Sequence, residues 1–232
     1  MSDARDDILA SIRRSLGVSP DDAPRRAEAL ARLARPPRGV IPQRGQASGR
    51  AAVETFIRYA EAAQASVSVA PAPEAVPAEA ARWLSARNLP PTARMGADPR
   101  LAAMPWGETA LEVSHGPSAG QDLTGVSHAF AGIIETGSLV LLSGPDNPTT
   151  LNFLPDNHIV VLDSADLVPS LEDVWARLRR EVAGAPPRTI NMITGPSRSG
   201  DIDRTIFLGA HGPRALHVIL IDRDGAAGTS GP

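Results

Sequence analysis

Residues 191–221 read NMITGPSRSGDIDRTIFLGAHGPRALHVILI and decide the fold, because they combine two strand-like apolar runs with a polar loop. Residues 189–194 and 216–221 are short, mainly apolar and bounded by Gly and Pro, which predicts two buried strands. The loop after the first run supplies hydroxyls, a guanidinium and a carboxylate. Open α/β sheets bind ligands where strands end, so we expect a ligand site in this loop.

The guanidinium of Arg198 is the natural partner for a carboxylate or phosphate, because its planar fork donates two parallel hydrogen bonds. Asp201 or Asp203 is placed to orient it. His211 adds an imidazole in the glycine-rich turn 209–213. The alternative is that both segments are ordinary connecting turns. The loop residues that we expect to contact a ligand are Gly195, Ser197, Arg198, Ser199 and Gly212.

A second region of interest centres on the carboxylate of Glu135, which precedes a continuous hydrophobic run at 139–142. Such a run is typical of a strand buried on both faces of a mixed or parallel sheet. Glu135 can then serve in proton transfer, hold a ligand hydroxyl, or cap a turn as a purely structural group. We therefore take Glu135, His211 and Asp201 as catalytic candidates, and Thr136, Gly137 and Ser138 as further ligand-binding candidates.

Composition excludes several chemistries. The 232 residues contain no Cys, which rules out disulfides, thiol catalysis and thiolate ligands for zinc or an iron–sulfur cluster. All 23 basic residues are Arg, so a Schiff-base or phosphate-loop lysine is excluded. The net charge of -3 argues against general nucleic-acid binding.

The motifs of several other kinds of functional site were also considered. The loop at 195–200 does not have the spacing of a Gly-x-Ser-x-Gly elbow. The sequence has no Gly-x-Gly-x-x-Gly turn or Walker loop, and its five histidines lack metal-ligand spacing. We predict no metal site and no cofactor bound by this chain. No window approaches the roughly 20 apolar residues of a membrane span, and the first residues are acidic, unlike a signal peptide. We expect a cytoplasmic protein.

The pattern along the chain predicts three regions. Residues 1–50 form an arm with helices up to Leu16 and over 24–34, followed by a basic Pro-rich linker. Residues 25–50 contain seven arginines against one acid, which suits a solvated linker or docking to an acidic partner. Residues 51–224 alternate strands and helices, including helices at 167–182 and 202–208, and predict an α/β fold with a mixed or mostly parallel sheet flanked by helices. Residues 225–232 are expected to be a disordered tail.

Three motifs give the body a family resemblance. They are IIETGSLV at 133–140, NFLPDNH at 152–158, and GPSRSGDI at 195–202 together with GAHGP at 209–213. In this order they resemble the LUD-domain family, the lactate utilisation protein C group, over roughly residues 51–222. Ser138 and the pair Ser199-Gly200 stand where commoner members have Thr and Thr-Ala, which are conservative changes.

The resemblance implies a NagB/RpiA/CoA-transferase-like fold and a role in oxidising L-lactate to pyruvate. It implies iron–sulfur clusters in partner proteins rather than in this chain, and a small acidic or phosphorylated ligand here. It assigns no catalytic residue. Two alternatives stay open: a non-catalytic ligand-binding or assembly subunit, and a stand-alone enzyme on a sugar phosphate, folate or CoA ester.

Overall fold

The computed structural model of the chain describes residues 4–37, 39–182, 184, 186–200 and 206–223, with the backbone alone at 199, 200 and 206–208. The chain divides into two compact units, Met1–Val40 and Ile41–Pro232. Within the described residues, no helix combines the length and the apolar character needed to cross a membrane.

The first unit contains the two helices expected from the sequence. Helix α1 spans Ala4–Leu16 and ends at Gly17, whose φ of +63° is the left-handed conformation that closes many helices. Helix α2 spans Ala23–Ala34, and its first turn is capped by Asp22, whose side chain accepts a hydrogen bond from the amide of Arg25 at 3.1 Å. Neither helix has a buried residue.

The second unit alternates strands with helices. The helices are α3 (Gly49–Ala62), α4 (Val76–Ala86), α5 (Pro99–Ala102), α6 (Thr149–Phe153) and α7 (Leu171–Glu181). The strands are β1 (Ser66–Ala70), β2 (Thr92–Met95), β3 (Glu112–His115), β4 (Thr124–His128), β5 (Ala131–Ile133), β6 (Ser138–Leu142), β7 (Asn157–Asp163), β8 (Leu167–Val168), β9 (Ile190–Ile193), β10 (Arg198–Gly200), β11 (Ile206–Leu208) and β12 (Ala215–Ile221).

The main sheet has six parallel strands in the order β1-β12-β7-β4-β2-β3. Its central strands β12 and β7 are almost wholly buried, as expected for a parallel sheet covered on both faces. This confirms the predicted α/β class with a mostly parallel sheet. A second sheet has the order β8-β5-β6-β9 and is mixed, and β10 and β11 form a separate antiparallel pair.

Three apolar clusters hold these layers together. One face of the parallel sheet packs on α4 and α5 through a cluster that includes Trp83 and Leu101. The other face packs on α3 and on strand β6, where Phe56 and Leu139 meet Leu220. A third cluster joins the outer side of the mixed sheet to α7 through Val174. The mixed sheet is therefore sandwiched between the parallel sheet and α7.

Three local predictions were wrong. Residues 190–193 form an edge strand of the mixed sheet rather than a buried core strand, and Met192 is 38% exposed. The helix predicted at 167–182 begins only at Leu171, because residues 167–168 pair with β5 as a strand. Residues 206–208 form strand β11 instead of the predicted helix, while 201–205 and the expected tail at 225–232 lie outside the described residues.

Two histidines are buried as neutral parts of the parallel sheet. His158 on β7 is fully buried, and its Nε2–H donates at 3.0 Å to Ser127 Oγ, which in turn donates to Asn152 Oδ1 at 3.1 Å. Burial lowers the pKa of His158 to about 3. His217 on β12 stacks on Trp83, and burial lowers the pKa of His217 to about 4.

These pKa values predict that acid destabilises the fold. An unfolded histidine has a pKa near 6.5, so between about pH 6.5 and 4 the unfolded chain binds protons that the folded chain does not. The free energy of unfolding should fall with decreasing pH by roughly 1.4 kcal/mol per pH unit for each of the two histidines. The free energy of unfolding, measured by urea denaturation across this pH range, should change less steeply with pH in His158→Gln and His217→Gln than in the wild type. His115→Gln, at an exposed position, is the control and should leave this pH dependence unchanged. Equal slopes in all variants would contradict the conclusion that His158 and His217 are buried in the neutral form.

Candidate functional site

Two motif segments converge on the C-terminal end of α3. Gly137 and Gly195 have φ values of +65° and +72°, and a Cβ at either position would lie 2.2 Å from Ala60 N or 2.0 Å from Ala63 O. Only glycine combines this backbone conformation with so close an approach. The glycines therefore let the turns at 135–138 and 194–197 pack directly on the helix backbone.

Hydroxyl groups join the same two turns. Ser138 Oγ lies 2.8 Å from Thr136 Oγ1 and 2.5 Å from Thr194 Oγ1. Ser138 is buried, whereas Thr136 and Thr194 are exposed. The three hydroxyls thus form a chain of hydrogen bonds from the inside of the protein to its surface, and each already has a partner within the protein.

The turn at 209–213 completes this group. Ser197 N–H donates to the carbonyl of Pro213 at 2.8 Å, and Ser197 Oγ accepts from the amide of His211 at 3.3 Å. A Cβ on Gly212 would lie 3.4 Å from the Cβ of Ser197. We call this group the motif cluster; its residues are Thr136, Gly137, Ser138, Thr194, Gly195, Ser197, Arg198, His211 and Gly212.

Arg198 and His211 carry the exposed guanidinium and imidazole groups of the motif cluster. Arg198 Nη2 donates to the carbonyl of Ala63 at 2.9 Å, which fixes the guanidinium at the end of α3. Its other N–H groups have no hydrogen-bond partner among the described residues. The His211 imidazole is exposed. An anion could therefore bind at this surface. Asp201, the third catalytic candidate, lies outside the described residues, as does the side chain of Ser199.

Glu135 does not join the motif cluster. Glu135 is 9% exposed, and its Oε1 accepts a hydrogen bond at 3.2 Å from the amide of Leu171, the first residue of α7. A carboxylate at this position satisfies an otherwise unpaired amide and interacts favourably with the helix dipole. Among the described residues, no hydrogen bond links Glu135 to residues 194–213. The structure therefore gives this carboxylate the capping role that the sequence left open.

The motif cluster lies at the amino end of the parallel sheet. Its turn at 209–213 leads into β12, and the amide of Arg214 donates to the carbonyl of Asp156, just before β7. The carboxyl end of a parallel sheet is the usual ligand site. There the structure shows a residue that the sequence analysis left unassigned, His128 at the end of β4. Its only sequence signal was an imidazole in a stretch of small residues, too weak to identify a strand.

Among the described residues, no group of three His, Asp or Glu side chains could hold a metal ion.

Comparison with known proteins identifies similar chains. The model of the LUD domain family matches residues 53–221. The chain is 30% identical over 129 residues to lactate utilization protein C of Geobacillus thermodenitrificans, covering 51% of this chain and 54% of that protein. It is 35% identical over 102 residues to lactate utilization protein C of Halalkalibacterium halodurans, covering 43% and 44%. The chain thus spans about half the length of the curated relatives it matches.

A solved structure has the same fold. The crystal structure of a DUF162 family protein from Deinococcus radiodurans superposes with a TM-score of 0.58 at 21% identity, covering 76% of this chain and all of that one. At this identity the likeness concerns the fold.

The hydrogen bond from the Leu171 amide to Glu135 should contribute to the free energy of unfolding through hydrogen bonding and not through charge alone. Glu135→Ala removes the acceptor for the Leu171 amide and should lower the free energy of unfolding by about 1 kcal/mol. Glu135→Gln keeps an acceptor oxygen and should lose less than half as much. Chemical denaturation of the three proteins measures both values. If the two variants are equally stable, the proposed cap does not contribute.

Proposed function

Because the chain belongs to the LUD domain family, we propose that it takes part in lactate utilisation, as the names of its relatives suggest. More finely, we propose that it is a subunit of a multi-protein iron–sulfur system that oxidises L-lactate to pyruvate. The family match over 53–221 is the observation that supports this role. The chain has no cysteine, so the clusters are assigned to partner proteins.

The chain's own contribution in this proposal is to hold a small acidic or phosphorylated ligand at the motif cluster. Arg198 is the anion partner, because its guanidinium is held at Ala63 yet remains exposed. Ser197 and His211 lie beside it in the loop, joined by their own hydrogen bond. L-Lactate has a carboxylate for Arg198 and a hydroxyl for a neighbouring acceptor such as His211. Oxidation of L-lactate to pyruvate releases two electrons, which the proposed partners accept, and two protons, which pass to a base such as His211 and to water.

A specific observation favours the alternative of an assembly subunit. Helices α1 and α2 expose apolar side chains at helical spacing and bury none. Short amphipathic helices are marginal unless their apolar face is covered, which suits a segment that docks on a partner protein. The exposed side chains are Ile8, Ile12, Leu16, Leu30 and Leu33. This alternative and the lactate role are compatible, since an assembly subunit can also bind the substrate.

Reconstitution tests the proposed function. L-Lactate oxidation by the purified cluster-bearing partners should require this chain. Arg198→Ala should reduce kcat/KM by about tenfold or more, mainly through a higher KM, because a charge-assisted hydrogen bond to the substrate is lost. Arg188→Ala is the matched control, because Arg188 is exposed near the opposite end of β9 and should leave the rate unchanged. Circular dichroism and thermal melts establish that each variant is folded.

The outcomes of this reconstitution distinguish the lactate role, the anion-binding role of Arg198 and the docking role of the first unit. Partners that are fully active without the chain would contradict the lactate role. A chain that is required, with Arg198→Ala behaving like Arg188→Ala, would keep the lactate role and reject Arg198 as the anion partner. A chain that restores activity only with helices α1 and α2 present would support the docking role of the first unit.

A further inference from the structure

A cleft of about 330 Å³ opens at the carboxyl end of the parallel sheet. It lies where β4, β7 and β12 end, with His128, Asp163 and Ile221 on its wall, and Met104 adds an apolar surface. We call it the His128 cleft. Strand β12 runs from the motif cluster to this cleft, and its six residue steps correspond to roughly 20 Å. The two regions are therefore separate sites.

The imidazole of His128 presents a hydrogen-bond acceptor to this cleft. His128 is 5% exposed, and its Nδ1 lies 2.8 Å from the carbonyl oxygen of Ala129. A carbonyl can only accept, so Nδ1 carries the proton and Nε2 carries the lone pair. Within the described residues, no group bonds to Nε2. Burial and the positive charge of Arg100 lower the pKa of His128, which favours the neutral ring.

Within the part of the chain that the structure describes, two guanidinium groups in the same cleft keep unused donors. Arg100 binds Asp98 through Nε at 3.1 Å and Nη2 at 2.7 Å, whereas its Nη1 is 4.0 Å from Asp166, beyond hydrogen-bond distance. Arg223 approaches Asp163 only to 3.8 Å. Both arginines line the cleft. Each can donate to an anion without breaking a short hydrogen bond.

The carboxylates on the wall restrict which anions fit. Asp163 and Glu74 line the cleft beside the two arginines, and Asp163 already accepts from the amide of Ala165 at 2.9 Å. A bare anion would be repelled by these carboxylates and would leave the His128 acceptor unpaired, which is costly for a buried group. A ligand that also carries a hydroxyl satisfies the acceptor and the donors together.

We infer that the His128 cleft binds a small hydroxylated anion, whose hydroxyl donates to His128 Nε2 while its carboxylate or phosphate pairs with Arg100 and Arg223. This site goes beyond the proposed function and does not depend on it. The ligand class follows from the donors and acceptors of the cleft, and either a hydroxy acid or a phosphorylated polyol provides it.

Calorimetric titration of the full chain tests the site with two matched pairs of probes. L-Lactate is compared with propionate, and glycerol 3-phosphate with propyl phosphate, so that the members of each pair differ only in their hydroxyl groups. At least one hydroxylated probe should bind about tenfold more tightly than its partner. Binding of lactate alone identifies a carboxylate site, and binding of glycerol phosphate alone identifies a phosphate site. If neither hydroxylated probe binds better than its partner, the inference is wrong.

Variants place that binding in the cleft. His128→Asn keeps an N–H for the carbonyl of Ala129 but has no acceptor at the position of Nε2, because the shorter amide does not extend that far. This variant should weaken binding about tenfold. Arg223→Gln changes an exposed side chain, leaves the fold intact and should weaken binding several-fold. Arg188→Gln should bind as the wild type does, because Arg188 is exposed and does not line the cleft. Binding that is lost in Arg198→Ala but kept in His128→Asn and Arg223→Gln would overturn the inference and assign the ligand to the motif cluster instead.

Discussion

The contact that organises this protein is the approach of two glycine turns to the end of helix α3. Without a Cβ, Gly137 packs on the backbone of Ala60 and Gly195 on the carbonyl of Ala63. This contact places β6 and β9 side by side, with Leu139 opposite Ile193, and brings the hydroxyls of Ser138 and Thr194 together. The same helix end accepts the hydrogen bond of Arg198. The motif cluster therefore exists because the two turns can reach the helix.

The two ends of the parallel sheet differ in what their polar groups do. At the amino end, the hydroxyls of the motif cluster bond to one another, and Arg214 closes the loop onto Asp156. At the carboxyl end, His128 keeps a nitrogen that bonds to none of the described residues, and it lies in a cleft with two arginines whose donors are only partly used by those residues. The residues of the motif cluster thus bond largely to one another within the fold, whereas the His128 cleft, which no sequence motif indicated, has groups that can still bind a ligand. This is the expected difference between a scaffold and the site that it carries.

Local sequence patterns predicted the central fold well because the parallel strands are strongly apolar. The run at 216–221 is a buried strand, as its continuous hydrophobicity indicated. The similar run at 190–193 became an edge strand, because periodicity does not reveal which sheet a strand joins. Strand β4 was missed because it is built of small and polar residues; a Cβ on its Gly125 would lie 2.7 Å from Leu151 O, which shows how closely it is packed.

The candidate site was less predictable because function depends on which groups remain unpaired. The sequence identified Ser197, Arg198 and His211 as site candidates, and the structure brings the two turns that carry them together. It could not show that Glu135 is bonded to the amide of Leu171, since those residues are 36 positions apart. Nor could it show that Nε2 of His128 is free, because that depends on a backbone carbonyl fixing the other nitrogen.

The most direct test of this account is the free energy of unfolding of Gly195→Ala. A Cβ with φ at +72° and 2.0 Å from Ala63 O combines left-handed strain with a steric clash, so the loss should be about 2 kcal/mol or more. Gly144→Ala is the control, because a Cβ there meets nothing within 4 Å, and it should change stability by less than about 0.5 kcal/mol. A Gly195→Ala protein as stable as the Gly144→Ala protein would show that the turn does not depend on its approach to α3, and would contradict the account.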